Sequence, residues 1–496
     1  MNYSLICSKC GKIYDDSLQG EWRLSCDNEK DPNHGKALLI SFYPNQNQAF
    51  SSNSNESKEK LSDFSSFLPI REELKKIPID TSAPICFKST NFGEKYLGLK
   101  NLWISFSGYI DNRESYLSSC TFKELEATSI FSRIFSKSSP KQKKTIVVSS
   151  AGNTARAFAQ IFSKKISINK KESNNIDLII VIPEKAIDKI WSIPSIPFDE
   201  KRVKLIVIKN GDYSDAIKTA DLISSLDKNI FFPEGGAKNP ARRDGMAISL
   251  LAAVFEIKKK TGKIILPDHY FQAVGSGTGG ISAWEAAKRI QEYIRNIGNN
   301  ENNENRENNK NKNLINKNNI YKIDVEVKMK LHLSQNIPFT PMADSWEKNV
   351  REMPSYCFDE NEGKKRIEKV SAFVLTNRHP PFGIYGGVFD AMKSCKGSQF
   401  YKITNEEAKN AADIFEKLEG YSVDPAAAVA IASLIKAVEL NKVQKEEIIV
   451  LNVTGGGKKE LDKKFGEQGI LYLKPFKIIT LDEINIETAK KIFEIN

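Results

Sequence analysis

The stretch "YFQAVGSGTGGISAWEAAKRI", residues 270–290, carries the reading of this chain. An apolar, strand-like run breaks at Gly275, Ser276, Gly277, Thr278, Gly279 and Gly280, and a helix-period segment follows at once. Glycines let backbone N–H groups converge on an anion, and a helix opening near Thr278 adds the positive end of its dipole. The expectation is a phosphate cradle between a strand and a helix. Gly275, Gly277 and Gly280 also satisfy G-x-G-x-x-G, the dinucleotide fingerprint, which needs a second strand ending in an acid about 20 residues on. Here the helix instead runs past Glu292 into an Asn-rich tract, so a single monophosphate fits better than a dinucleotide. A purely structural glycine turn is the remaining alternative.

The same strand-then-helix order recurs outward from this loop. "NLWISFS", "KTIVVSS", "IDLIIVIP" and "VKLIVIKN" alternate with helix-period segments from about residue 84. Short β-branched runs separated by helices imply an α/β fold of open, mostly parallel twisted sheets covered on both faces. "TNEEAKNAADIFEKL" opens on a Thr404/Glu407 capping box, "DPAAAVAIASLIKAV" on Asp424 as N-cap with Pro425 behind it, and "EIIVLNV" is the last clear strand. The expected organisation is a ribbon-like unit over 1–43, a linker and lead-in over 44–83, a two-subdomain α/β region over 84–460 and an extension over 461–496. "NQNQAFSSNSNESKEK" is expected to be flexible, and the Asn-rich segment 296–319 to be a disordered surface insertion, because neither composition can build a core.

The 496 residues are 40% hydrophobic and 27% charged, with seven cysteines. That fits reduced thiols in a cytosolic protein, with no run long and apolar enough for a membrane span and no signal-peptide pattern at the start. The net charge of +11 is spread along helices and loops, as in "EIKKKTGK", without an arginine-rich arm. Small anionic ligands therefore suit it better than nucleic acid or a membrane surface. In the ribbon-like unit Cys7, Cys10 and Cys26 resemble part of a zinc site whose fourth ligand is not obvious, leaving His34 or an aspartate as a stand-in. A ribbon with free thiols is the alternative.

Three further positions carry chemistry. In "SSCTFKELEATS", residues 118–129, Thr121 and Glu124 match a capping box that would place Lys123 in the first helical turn. A helix N-terminus and partial burial both disfavour an ammonium there, making the amine a better nucleophile toward a carbonyl. Asn153 stands at the turn of "SSAGNTARAFAQ", where it either caps the helix or meets a ligand. Thr454 ends a strand before three glycines in "LNVTGGGKKEL", with a simple turn as its bland reading.

In this order, a lysine, an Asn turn, a phosphate loop and a Thr-Gly-Gly-Gly strand end resemble the fold-type II pyridoxal-phosphate enzymes of the tryptophan synthase β/threonine synthase type. The resemblance covers about residues 84–460, and the N-terminal ribbon also recurs in threonine synthases. It implies that Lys123 joins the cofactor as a Schiff base, Asn153 meets the phenolic oxygen of its ring, the loop from Gly275 to Gly280 holds its phosphate, and Thr454 meets the pyridine nitrogen. The strings "ISFSGYIDNRESYLSSCTFKELEA", "FPEGGAKNPARRDGM", "LHLSQNIPFTPM" and "RHPPFGIYGGVFDAM" are similar to a branch of that family, the archaeal cysteate synthases. That likeness implies a β-replacement of phosphate in O-phospho-L-serine by sulfite, toward coenzyme M in methanogens, in a homo-oligomer. Threonine synthase acting on O-phosphohomoserine is the enzymatic alternative, and a basic nucleic-acid-binding protein the alternative from another class. Two anionic substrates call for cations beyond those serving the cofactor, and "AKNPARRDGM" offers Lys238, Arg242 and Arg243, unless these are ordinary solvated helix cations.

Overall fold

The β-branched runs form the strands of two parallel sheets, joined by two helices that cross from one to the other. A computed structural model of the chain describes residues 3–16, 22–51, 58–70, 79–111, 113–136, 143–164, 175–301, 325–466 and 469–493. The chain opens with a small antiparallel sheet of β1 (Ser4–Cys7), β2 (Ile13–Asp15) and β3 (Leu39–Phe42), in the order β2-β1-β3. It then lays down β4 (Ile85–Lys88) and β5 (Leu102–Gly108), crosses on helix α1 (Lys123–Ser136), and builds most of a second sheet from β6 (Lys144–Ser149), β7 (Ile176–Pro183), β9 (Val203–Ile208) and β10 (Phe231–Pro233). Helices α2 (Asn153–Ser163) and α3 (Tyr213–Leu226) cover that sheet, and a short β8 (Trp191–Ser192) lies beside it.

Helix α4 (Pro240–Thr261) returns the chain to the first sheet. There β11 (His269–Ala273), β12 (Lys330–Asn336), β13 (Gln399–Ile403) and β14 (Ile449–Gly456) join β4 and β5, with helices α5 (Thr278–Glu301), α6 (Asn405–Glu419) and α7 (Pro425–Glu439) between them. This six-stranded sheet runs β13-β12-β11-β14-β5-β4, parallel except for the antiparallel edge pair β4 and β5. The crossover helices α1 and α4 pack on each other. Gly245 makes that possible, since a Cβ there would stand 2.5 Å from the Leu125 carbonyl oxygen.

Four expectations change in the structure. Residues 44–51 and 58–70 do not behave as a free linker: Phe50, Phe64 and Phe67 are buried, Phe50 lies 4.9 Å from Phe67 and 5.8 Å from Phe255 between ring centroids, and only the polar letters around them suggested a loop; 52–57 lie outside the described residues. The C-terminal segment is part of the fold, because β15 (Leu471–Tyr472) pairs with β8, and β16 (Lys477–Ile479) completes the five-stranded parallel sheet β10-β6-β7-β9-β16. Helix α5 continues through residues 296–301 of the Asn-rich segment, while 302–319 lie outside the described residues. The strand that carries Thr454 extends through it to Gly456 instead of stopping before it.

The Thr404/Glu407 capping box is present, with Thr404 Oγ1 accepting from Glu407 N at 3.1 Å and Glu407 accepting from Thr404 N at 2.7 Å. No helix among the described residues is long and apolar enough to cross a membrane.

Candidate active site

Helix α1 begins at Lys123, and what fixes its start is not the expected capping box. Thr121 Oγ1 lies 3.4 Å from Lys123 N, but the Glu124 carboxylate turns away and accepts from Ser119 N at 2.8 Å, from Ser119 Oγ at 2.8 Å and from Lys164 Nζ at 2.9 Å. The stronger constraint comes from β14. Phe122 N donates to the Thr454 carbonyl at 2.9 Å and Thr121 pairs with Gly455, after a left-handed turn at Cys120 with φ 50°. A tertiary bridge therefore sets Lys123 next to Thr454, a proximity that spacing in the sequence does not show.

Lys123, Asn153, Thr454 and the loop from Gly275 to Gly279 line one cleft, with about 780 Å³ of space that is partly open to solvent. It lies between the C-terminal edges of the two sheets, where open α/β sheets place their ligands. Asn153 is the first residue of α2 and leaves the capping to Ser150, whose hydroxyl accepts from Gly152 N and Ala155 N, both at 3.0 Å. Asn153 is thus free to face the cleft, where its Nδ2 donates to Asp424 Oδ2 at 3.5 Å. Asp424 stands at the N-cap position of α7, as expected, but makes no side-chain capping bond.

The glycine loop fits a phosphate. The first-turn amides of α5 have no partner within the helix, and the hydroxyls of Ser276 and Thr278 sit at its mouth, 2.8 Å apart. A Cβ on Gly279 would fall 1.8 Å from Gln272 Nε2. Gln272 is held by Tyr270 Oη and Asn452 Nδ2, which donate to its Oε1 at 2.8 and 3.0 Å, so the backbone of this turn has room only for glycine. Thr454 makes no side-chain hydrogen bond among the described residues and lines the same cleft.

Burial pulls the Lys123 ammonium down to about 8, with Arg242 adding to the shift and Glu126 opposing it. Glu126, absent from the sequence-based site, is fully buried and 3.4 Å from Lys123 Nζ. The cation cluster separates into three environments. Arg242 lines the cleft but is paired with Glu234 at 2.7 Å and Glu126 at 3.1 Å. Lys238 lies in an adjoining cavity, 3.6 Å from Glu29. Arg243 points the other way, into a buried pair with Glu285 at 2.9 Å and onto the carbonyls of Ala237 and Leu39. Adjacent positions on a helix face about 100° apart, which sends Arg242 to the cleft and Arg243 to the ribbon.

Sequence reasoning also missed Gln272, Tyr213 and the segment Val374–Asn377, which roofs the loop. Glu126 carried a signal, one turn beyond the lysine. The roof carried none, because its position depends on non-local packing.

In the ribbon, Cys7, Cys10, Cys26 and His34 converge, with their ligand atoms all within 4.8 Å. Of the two stand-ins, His34 or an aspartate, it is His34 that joins the three cysteines. Its Nδ1 is 2.7 Å from the Gly35 carbonyl, which fixes the tautomer with Nε2 unprotonated and 3.4 Å from Cys7 Sγ. Three thiols and an imidazole so oriented are a donor set that fits structural zinc.

The fold and the cleft define a pyridoxal-phosphate dependent enzyme, and the profile of that family, "Pyridoxal-phosphate dependent enzyme", matches residues 112–455. The chain is 38% identical to the cysteate synthase of Methanosarcina barkeri over 488 residues, 98% of this chain and 100% of the relative. It is 38% identical to that of Methanosarcina mazei over 98% of this chain and 99% of the relative, and 41% identical to that of Methanocorpusculum labreanum over 81% and 83%. The chain belongs to the cysteate synthase family of pyridoxal-phosphate dependent enzymes.

Proposed function

We propose that this protein converts O-phospho-L-serine and sulfite to L-cysteate and phosphate with pyridoxal phosphate as cofactor, a step toward coenzyme M. The observation that carries the reading is the convergence of Lys123, Asn153, Thr454 and the glycine loop on one cleft, in a chain aligned end to end with cysteate synthases. Gly275, Ser276, Gly277, Thr278, Gly279 and Gly280 would hold the cofactor phosphate, Asn153 its phenolic oxygen, Thr454 its pyridine nitrogen and Lys123 its aldehyde carbon. When bound, the cofactor supplies an electron-withdrawing ring that stabilises the charge left at Cα of the amino acid. A neutral hydroxyl at the ring nitrogen, in place of a carboxylate, leaves the ring unprotonated and favours loss of a group from Cβ.

Lys123 Nζ, with its basicity already lowered by burial, takes the Cα proton and returns it after sulfite has replaced phosphate. Of the original cluster, Arg242 is the cation that lines the cleft, paired with Glu126 and Glu234, with Lys238 at the adjoining cavity; Arg243 has no part in this reading. The ribbon would carry a structural zinc on Cys7, Cys10, Cys26 and His34. The partners are these two small anions, in a cytosolic homo-oligomer. The threonine synthase alternative is not favoured, since the aligned relatives are cysteate synthases.

The test is to incubate the loaded enzyme with O-phosphoserine, with and without sulfite, and to follow phosphate and cysteate by mass spectrometry. Cysteate should form only with sulfite. O-phosphohomoserine turned over to threonine, with O-phosphoserine inert, would replace this reading by the threonine synthase one. Strongly salt-dependent binding of DNA or RNA without a visible chromophore would support the non-catalytic alternative.

A further inference from the structure

Lys123 Nζ stands at one end of a buried row of alternating charges. Glu126, one turn along α1, brings Oε2 to 3.4 Å from Nζ and to 3.1 Å from Arg242 Nε, and accepts from Thr154 Oγ1 at 3.1 Å. Arg242, on the other crossover helix, donates from Nη1 to Glu234 Oε2 at 2.7 Å. None of the three is more than 7% exposed. Two carboxylates against one guanidinium leave a net negative charge. The row is balanced only when a further cation occupies the place of Nζ, and an unbalanced buried charge is strongly disfavoured.

Nothing in the cofactor-holding roles assigned to the cleft requires Glu126. Among the described residues it does not line the cleft, and its polar contacts are Lys123, Arg242 and Thr154. The elements packed around Nζ contribute Glu126 from α1, Arg242 from α4, Glu234 from the loop between β10 and α4, Tyr213 from α3, which lines the same cleft, and the Phe122 ring, whose centroid is 4.7 Å away. Of these, the carboxylate in direct contact is Glu126.

We propose that Glu126 is a positioning residue for the reaction, which holds a proton on Lys123 Nζ and fixes the direction of the amine, with Arg242 and Glu234 locking the carboxylate in place. The inference rests on the reading of Lys123 as the residue that joins the cofactor. In the proton balance of the replacement, the C–H bond at Cα breaks, an N–H bond forms at Nζ, and the new ammonium is stabilised by Glu126 until the proton returns to Cα. Burial alone favours the neutral amine, Glu126 opposes that preference and Arg242 reinforces it, so removal of either partner has a defined sign.

The experiment measures the pH dependence of Lys123 labelling by a small amine-directed reagent, quantified by peptide mass spectrometry on the full-length chain stripped of cofactor. It is made on wild type, Glu126→Gln, Glu126→Asp and Arg242→Gln. The labelling midpoint should fall by about one pH unit or more in Glu126→Gln, stay close to wild type in Glu126→Asp, and rise in Arg242→Gln. The pH titration of the visible band of the loaded enzyme should shift in the same direction in Glu126→Gln. A midpoint unmoved or raised in Glu126→Gln, or an equal fall in Glu126→Asp, overturns the proposal. Should Glu126→Gln not fold, Arg242→Gln decides it, because a midpoint that falls or stays put there contradicts the charge row. Loss of the visible band in Lys123→Ala is scored separately: if wild type has no band, or Lys123→Ala keeps it, the functional reading itself fails, whereas a normal band with an unmoved midpoint refutes only the role of Glu126.

Discussion

A lysine in the first turn of a helix is at the wrong end of the dipole, and at Lys123 the cost is compounded by burial. Below about 8 the folded and unfolded chains both carry the ammonium. Between about 8 and its ordinary 10.5 the unfolded chain binds more protons at this group, so its contribution to stability rises with pH through that window. The same shift governs chemistry, because only the neutral amine attacks an aldehyde carbon. Capture of pyridoxal phosphate by the stripped protein should therefore accelerate with rising pH and level off above about 8, and Lys123→Ala should show no cofactor mass on the chain after borohydride reduction. Arg243 offers the contrast. Its buried pair with Glu285 predicts that Arg243→Gln loses about 3–5 kcal/mol in urea unfolding through an uncompensated carboxylate, although the residue lies outside the cleft.

At the scale of elements, the two crossover helices matter most, since α1 carries Lys123 and Glu126 while α4 carries Arg242. Their close approach depends on Gly245, beneath the Leu125 carbonyl and 2.9 Å from Glu126 Cα by its virtual Cβ. Gly245→Ala should push the helices apart, costing about 1–3 kcal/mol by thermal or urea unfolding and weakening retention of the cofactor band. Alternation of β-branched runs with helix periods made these elements legible in the sequence, and the structure adds Asn239 as the cap of α4 with Pro240 behind it. What was not legible was the capping of α1 and α2. Glu124 and Asn153 fit local patterns, yet Glu124 is drawn away by the nearby Ser119 and the distant Lys164, while Asn153 leaves the capping to Ser150 and reaches Asp424 in a distant segment. A local hydrogen bond of about 1 kcal/mol is easily displaced by a buried charge pair.

For the whole molecule, the ribbon and the C-terminal segment are structural parts of the catalytic fold. The ribbon's Asp16 meets Arg133 of α1 at 2.9 Å with both side chains buried, and Ser41 and Tyr43 hydrogen-bond to Asp244 of α4 at 2.6 and 2.8 Å. Both crossover helices are thus tied to the ribbon. Purified protein should hold about one zinc per chain by atomic emission, and Cys26→Ser should lose it with a lower melting temperature. At the other end of the chain, truncation after residue 470 removes β16 and bares the edge of β9, so the shortened protein should aggregate more readily in light scattering.

The sequence by itself determined the alternation of strands and helices, the glycine loop between a strand and a helix, and the four positions that resemble the cofactor site, because periodicity and turn chemistry are local properties. Tertiary structure alone decided which cations face the cleft, that His34 completes the cysteine set, and that Glu126 and Arg242 stand beside Lys123. The cysteine set depends on how the turns of the ribbon fold back on one another, and the rest on how two helices far apart in the chain pack together, where burial gives the charges an effect that an exposed face would screen.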